Sequence, residues 1–123
     1  MRELIVTEFV SLDGVMEAPG GEEGYAHAGW VAEFFDDALG AYKFAEQDAA
    51  DVLLLGRKTY ESFYGAGPQR DGPMADKINT MRKVVASTTL GSSDWQDTTV
   101  IDSDLVNAVR ALKAEDGGPI LVA

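Results

Sequence analysis

Short apolar runs separated by polar and glycine-rich segments dominate the hydrophobic pattern of this chain. The run at residues 52–55 has no polar position and lies between Asp51 and Gly56, which is typical of a strand buried on both faces of a parallel sheet. Other short runs, several rich in β-branched residues, predict four further strands. The five predicted strands cover residues 3–9, 52–55, 83–87, 98–101 and 119–122.

Apolar residues at three- and four-residue spacing predict helices between these strands. The longest covers residues 30–49, and shorter ones run from near Arg57 to before Gly65 and from Pro73 to about Thr80. A last helix begins after a cap at Asp102, Ser103 or Asp104 and carries Leu105, Val109 and Leu112 on one face. The aromatic side chains expected in the core, or lining a cleft from the first helical turn, are Trp30, Phe34, Phe35 and Tyr42.

The alternation of strands and helices predicts the fold class, an α/β domain with a mainly parallel sheet and helices on its faces. No linker or repeat interrupts residues 1–123, so we expect a single domain. Because the chain stops inside its fifth predicted strand, we expect a C-terminally truncated domain. The glycine-rich segment 10–29 predicts a long loop, and loops of that length are commonly functional or disordered.

The amino-acid composition excludes or disfavours several classes of function. Twenty-one acidic and 10 basic side chains give a formal net charge of -11, which disfavours nucleic-acid binding. Cysteine is absent, which excludes disulfides, thiolate zinc sites and thiol nucleophiles. No apolar run is long enough to span a membrane, so we expect a cytoplasmic protein without metal, membrane or nucleic-acid partners.

The segment after the second predicted strand suggests an anion site. Gly56 opens a helix whose first turn contains Arg57, Lys58 and Thr59, and first-turn amides are free to bind anions. The alternative is that Gly56 is a packing glycine and that both cations are solvated. The spacing favours neither interpretation, and it does not match a Walker A loop.

Two further hydroxyl- or carboxylate-bearing segments follow predicted strands. Ser87, Thr88 and Thr89 lie where a parallel sheet binds ligands, although a Ser/Thr turn is the stronger local interpretation. Asp13 follows the first strand and could manage a proton, although an Asp-Gly turn is again the simpler interpretation. His27, the single histidine, is expected to be solvated.

Several segments, in order, resemble the dihydrofolate reductase superfamily, and most closely the C-terminal reductase domain of the riboflavin-biosynthesis deaminase/reductase. The strongest is Ala-Asp-Val-Leu-Leu-Leu-Gly-Arg-Lys-Thr-Tyr-Glu at residues 50–61. Others are Phe-Val-Ser-Leu-Asp-Gly at 9–14, Ala-Asp-Lys-Ile-Asn at 75–79, Lys-Val-Val-Ala-Ser at 83–87 and Gly-Pro-Ile-Leu-Val at 118–122. The resemblance spans nearly the whole chain.

The resemblance implies a three-layer α/β/α domain, apparently without its C-terminal strands, that transfers hydride from NADPH to a small heterocyclic or sugar-derived substrate. It implies a homodimer, and NADH remains an alternative cofactor because Thr88 offers a hydroxyl rather than a guanidinium. Asp13 would lie near nicotinamide and substrate. The implied cofactor residues are Leu12 and Gly14 in the neighbouring loop, Gly56, Arg57, Lys58 and Thr59 at the phosphates, and Ser87 and Thr88 near the adenosine ribose and its 2′-phosphate.

Two alternatives stay open. Dihydrofolate reductase itself would need a carboxylate on the first helix, where Glu33, Asp36 and Asp37 are candidates. A non-catalytic binding or assembly module on the same scaffold would instead use an exposed sheet edge to pair with another chain.

Overall fold

The computed structural model describes all 123 residues. Its strands are β1 (Leu4–Val6), β2 (Val52–Gly56), β3 (Arg82–Ala86), β4 (Thr98–Ile101) and β5 (Ile120–Val122). Its helices are α1 (Asp37–Ala49), α2 (Arg57–Ala66), α3 (Pro73–Thr80) and α4 (Leu105–Ala114), and short 3-10 turns occupy Trp30–Glu33 and Gly67–Gln69. All five predicted strands are present, and no end differs from its predicted position by more than three residues.

The five strands form one sheet in the order β1-β5-β2-β3-β4, and every pair is parallel. Alternate residues of β2 face opposite sides, because side chains along a strand alternate in direction. Leu53 and Leu55 pack with Tyr60 of α2, whereas Val52 packs with Leu112 of α4. Helices therefore cover both faces, which confirms the predicted α/β class and explains why the 52–55 run contains no polar residue.

The predicted helix over residues 30–49 is wrong in its first third. The helix begins only at Asp37, because the Asp36 carboxylate caps it by accepting a hydrogen bond from the Leu39 amide at 2.8 Å. A separate 3-10 turn precedes this cap, so the apolar spacing does not continue on one helical face. Phe34, Phe35 and Tyr42 are 71%, 46% and 65% exposed, which corrects their expected place in the core.

The second predicted helix is longer than expected. It continues through Gly65 to Ala66, and a 3-10 turn containing Pro68 follows. Glycine lowers helix stability without forbidding the helix, whereas the proline lacks the amide needed to extend it. The segment predicted as a loop from Gly65 to Pro73 is therefore partly helical.

Lys83 is a fully buried lysine in β3. Its ammonium donates hydrogen bonds to the carbonyls of Ile78, Asn79 and Met81 at 2.9, 3.0 and 2.7 Å, and it lies 4.6 Å from the ring centroid of Trp95. Burial lowers the pKa of Lys83 to about 8. Through these hydrogen bonds, Lys83 connects the C-terminal end of α3 to β3, the strand that precedes the candidate site.

No helix combines the length and the apolar character that crossing a membrane requires.

Candidate functional site

Strand register determines which residues meet at the carboxyl edge of the sheet. Ala86 of β3 pairs with Gly56 of β2 on one side and with Ile101 of β4 on the other. The residues that follow these three are Arg57, Ser87 and Asp102, one on each chain segment leaving the sheet. We call these three residues the edge row.

The N-terminus of α2 has no side-chain cap. Gly56 occupies the cap position, and no side chain accepts a hydrogen bond there. Its φ of -77° suits any residue, so conformation does not require glycine. A Cβ added at Gly56 would meet no atom within 4 Å, so it is not a packing glycine. The first-turn amides of α2 therefore have no side-chain acceptor at the cap, and the space beside Gly56 is open, so an anionic group can approach this helix start.

The two cations of this turn differ in their surroundings. Arg57 donates to the Glu61 carboxylate at 2.7 Å, one helical turn along α2, and both side chains are about half exposed. Lys58 is exposed. Such an exposed pair contributes little to stability, so Arg57 can exchange Glu61 for a ligand anion at small cost.

A cavity of about 580 Å³ opens at the edge row. It brings together three predicted cofactor residues, Arg57, Ser87 and Thr88. The remaining lining residues are Ala86, Thr89, Ile101, Asp102, Ser103, Asp104 and Leu105. The other predicted residues of this segment do not line the cavity; they are Gly56, which precedes α2, and Lys58 and Thr59 in its first turn. The cavity therefore lies where the carboxyl ends of adjacent parallel strands bind ligands in open α/β sheets.

The hydroxyls on this cavity are not equivalent. Ser87 Oγ accepts hydrogen bonds from the amides of Thr89 and Leu90 at 3.2 and 3.1 Å, which confirms the Ser/Thr turn. The Ser87 hydroxyl also lies 3.4 Å from the Thr89 hydroxyl, and either of the two can be the donor. Thr88 is exposed at the apex of the turn. The turn thus presents hydroxyls to the cavity while satisfying its own amides.

The β4 side of the cavity is acidic. Asp104, one of the three predicted cap residues, caps α4 by accepting from the amide and side-chain nitrogen of Asn107 at 3.5 and 2.8 Å. Asp102 is exposed and accepts only from the Ser103 hydroxyl, at 3.2 Å. The sequence suggested only a capping role for this acidic segment. Its place on the cavity depends on β3–β4 register, which no local pattern encodes.

Asp13 lies away from this cavity in an exposed turn. Its carboxylate accepts a hydrogen bond from the Ser11 hydroxyl at 2.5 Å, and this bond lowers the pKa of Asp13. The amide of Gly14 donates to the Ser11 carbonyl at 3.0 Å, and Gly14 has a φ of 89°, which confirms the predicted turn. Leu12 is fully exposed. None of these residues lines the cavity, and their functional role stays a prediction.

A polar cluster that sequence patterns did not indicate lies just beyond β1. Lys43 of α1 donates to the Thr7 hydroxyl at 2.5 Å and to the Glu46 carboxylate at 2.7 Å, and Thr7 donates to the same carboxylate at 2.7 Å. Partial burial opposes ionisation of Glu46, but the bonds from Lys43 and Thr7 outweigh it and lower its pKa. The ion pair of this cluster lies within α1, and the Thr7 hydroxyl joins it to the segment that follows β1 through two hydrogen bonds.

The remaining candidate residues form no centre of their own. His27 is exposed, as predicted. No group of three or more histidine, cysteine, aspartate or glutamate side chains is placed to hold a metal ion.

These features define an α/β domain of the dihydrofolate-reductase-like class, with a crevice at the carboxyl ends of parallel strands. The family model for the RibD C-terminal domain matches residues 2–123. The chain belongs to this family, the C-terminal domain of the riboflavin-biosynthesis deaminase/reductase, and the predicted resemblance is confirmed. A comparison with curated proteins gives no match.

Proposed function

We propose that this chain is an NADPH-dependent reductase of the riboflavin-biosynthesis type. The family is one of reductase domains, and this supports oxidoreductase chemistry in general terms. The observation that carries the proposal is the uncapped start of α2 beside the cavity at the edge row. The substrate class we propose is a small heterocyclic or sugar-derived compound with a reducible C=N or C=O bond, such as 5-amino-6-(5-phosphoribosylamino)uracil.

The donor set fits a dinucleotide. Free amides at the start of α2, with Arg57 and Lys58, would bind its phosphates, because helix N-termini and cations both stabilise negative charge. Ser87 and Thr88 would hydrogen-bond the adenosine ribose and a 2′-phosphate. When bound, the cofactor supplies the hydride. The chain's contribution is to hold the two reactants close and aligned.

Asp13 would manage the proton that accompanies reduction. Because the Ser11 hydrogen bond lowers the pKa of Asp13, its side chain is a carboxylate at neutral pH and is a poor direct acid. We therefore propose that Asp13 holds a water molecule that delivers the proton. Leu12 and Gly14 would shape the loop around it.

Calorimetry with NADPH and NADH tests the binding step, and loss of nicotinamide absorbance with ribityl- or ribosylaminopyrimidine substrates tests the chemistry. Binding with oxidation of the cofactor is the expected result. Failure of both dinucleotides to bind would overturn the proposal.

A folate titration separates this activity from that of dihydrofolate reductase. Asp36 was one candidate for the carboxylate that dihydrofolate reductase needs, but it already accepts a hydrogen bond as the cap of α1.

We also propose that the chain forms a homodimer and acts in the cytoplasm. The edge strand β1 and the segment after it expose apolar side chains that a second copy could cover. These are Val6, Val10, Leu12, Val15 and Met16. Light scattering should give twice the mass of the chain. A stable oligomer without dinucleotide binding would instead support the assembly-module alternative.

A further inference from the structure

The three side chains of the edge row differ in charge from one side of the cavity to the other. From β2 to β4 its members are a guanidinium at Arg57, a hydroxyl at Ser87 and a carboxylate at Asp102. Ser87 and Asp102 are held side by side, because the Ser87 amide donates to the carbonyl of Ile101, the residue before Asp102, at 3.0 Å. A group bound by the hydroxyls of the β3 turn is therefore also a neighbour of Asp102.

The balance of charge on the lining is negative. Arg57 is its single cation and is paired with Glu61, whereas both Asp102 and Asp104 contribute carboxylates. Asp104 is engaged as the cap of α4. Asp102 has the freer carboxylate, since its one hydrogen bond comes from the adjacent Ser103.

A carboxylate in this place distinguishes two forms of a nucleotide ribose. A free 2′-hydroxyl can donate a hydrogen bond to it, whereas a 2′-phosphate would bring like charges together. We propose that Asp102 is a specificity-determining residue whose charge reduces the preference for a 2′-phosphate over a free 2′-hydroxyl, so that the chain binds NADH alongside NADPH. This inference rests on the proposed dinucleotide site and adds to it the residue that sets cofactor preference.

The test measures the affinities of AMP and of adenosine 2′,5′-bisphosphate by calorimetry, for the unmodified chain and for Asp102→Asn. The variant keeps the shape of the side chain and removes its charge. We expect the preference for the 2′-phosphorylated probe to rise about threefold to tenfold, and to rise less at high salt because solvent screens exposed charges. The same shift is expected in the ratio of NADPH to NADH affinities.

Asp116→Asn is the matched control. Asp116 is also exposed, but it follows α4 at the opposite edge of the sheet and does not line the cavity. It should leave the ratio of affinities unchanged. Asp102→Ser provides a second neutral variant, and thermal unfolding of each protein checks that the fold is retained.

The outcomes separate this inference from the proposed function. If neither the mononucleotides nor the dinucleotides bind any form of the chain, the proposed function fails. If they bind and the ratio is the same in the unmodified chain and in both Asp102 variants, the specificity role is overturned while the reductase proposal stands. A shift confined to the Asp102 variants supports the role.

Discussion

The carboxyl ends of β2, β3 and β4 form a paired platform, whereas the segment after β1 leaves the sheet as a long loop. All of β2 except Gly56 is buried, and backbone pairing fixes its neighbours on both sides. None of the three residues of β1 is buried, and Asp13 lies well beyond its end in an exposed turn. The difference indicates that strand pairing preforms the cofactor half of the proposed site, while the catalytic half depends on an exposed turn in a loop outside the sheet. Binding and turnover should therefore be separable.

The largest expected effect is on turnover in Asp13→Asn. Loss of the carboxylate should reduce the rate of reduction by about 10²-fold or more, as removal of a proton-managing group commonly does. Dinucleotide affinity should not change, because Asp13 does not line the cavity. Steady-state rates and calorimetry on the same preparation check both expectations. Equal losses of affinity and turnover would show that the two halves are not independent.

Gly56→Asp should have the opposite effect to Asp13→Asn, because it changes the platform and should therefore weaken dinucleotide binding. An aspartate at the cap position would occupy the free amides of α2 and repel phosphates, so we expect dinucleotide affinity to fall about tenfold to a hundredfold. Helix stability should stay the same or rise by roughly a few tenths of a kcal/mol, since aspartate caps better than glycine. Calorimetry and thermal unfolding measure the two changes.

Gly56→Ala is the control for that variant. It adds a Cβ into open space without a carboxylate, and its backbone conformation suits alanine. It should weaken binding less than the aspartate does. A loss of binding in Gly56→Asp that merely follows a loss of stability would contradict the anion-site account.

A smaller effect on binding, but a clear one on stability, is expected for Lys83→Met. The substitution leaves the carbonyls of Ile78, Asn79 and Met81 without their ammonium donor, so we expect a loss of about 2 kcal/mol in unfolding free energy. Denaturant titration at neutral pH measures it. Lys113→Met, on the surface helix α4, serves as the control. No loss of stability would show that the hydrogen bonds from Lys83 to the end of α3 do not stabilise the fold.

The ionisation of Lys83 should make its contribution to the unfolding free energy rise with pH. The pKa of Lys83 is about 8 in the folded chain and near its ordinary value of 10.5 when unfolded. Between these values the unfolded chain binds more protons, so the contribution of Lys83 to stability rises with pH. This ionisation-dependent part is fully present above about pH 10.5 and is lost as the pH falls through about 8. The three hydrogen bonds that the ammonium donates are a separate contribution, which persists at neutral pH. The unfolding free energy of Lys83→Met should therefore lack this rise with pH.

Elements with strong local signals were predictable from the sequence. The helix over residues 73–80 matches α3, because Pro73 suits a first helical turn, and residues 98–101 match β4. The 30–49 helix was not predictable, because the Asp36 cap competes with a spacing pattern that continues across it. Periodicity reports where apolar residues recur, but a capping side chain decides where the helix begins.

The candidate site was predictable in part. Gly56, Arg57 and Lys58 stood out because a buried strand leads directly into them. Asp102 did not, because its place on the cavity depends on the register between β3 and β4, which the residues around Asp102 do not reveal. The contact of Thr7 with Lys43 and Glu46 was missed for the same reason, since it requires α1 to lie beside the segment that follows β1.

The central claim is that free amides at the start of α2, with Arg57 and Lys58, bind the phosphates of a dinucleotide. Two-dimensional NMR of the ¹⁵N-labelled chain during titration with NADPH tests it most directly. The account predicts that the largest amide shifts occur at Arg57, Lys58 and Thr59, with further shifts at Ser87 and Thr88. Saturable binding that leaves the amides of residues 57–59 unmoved would contradict it.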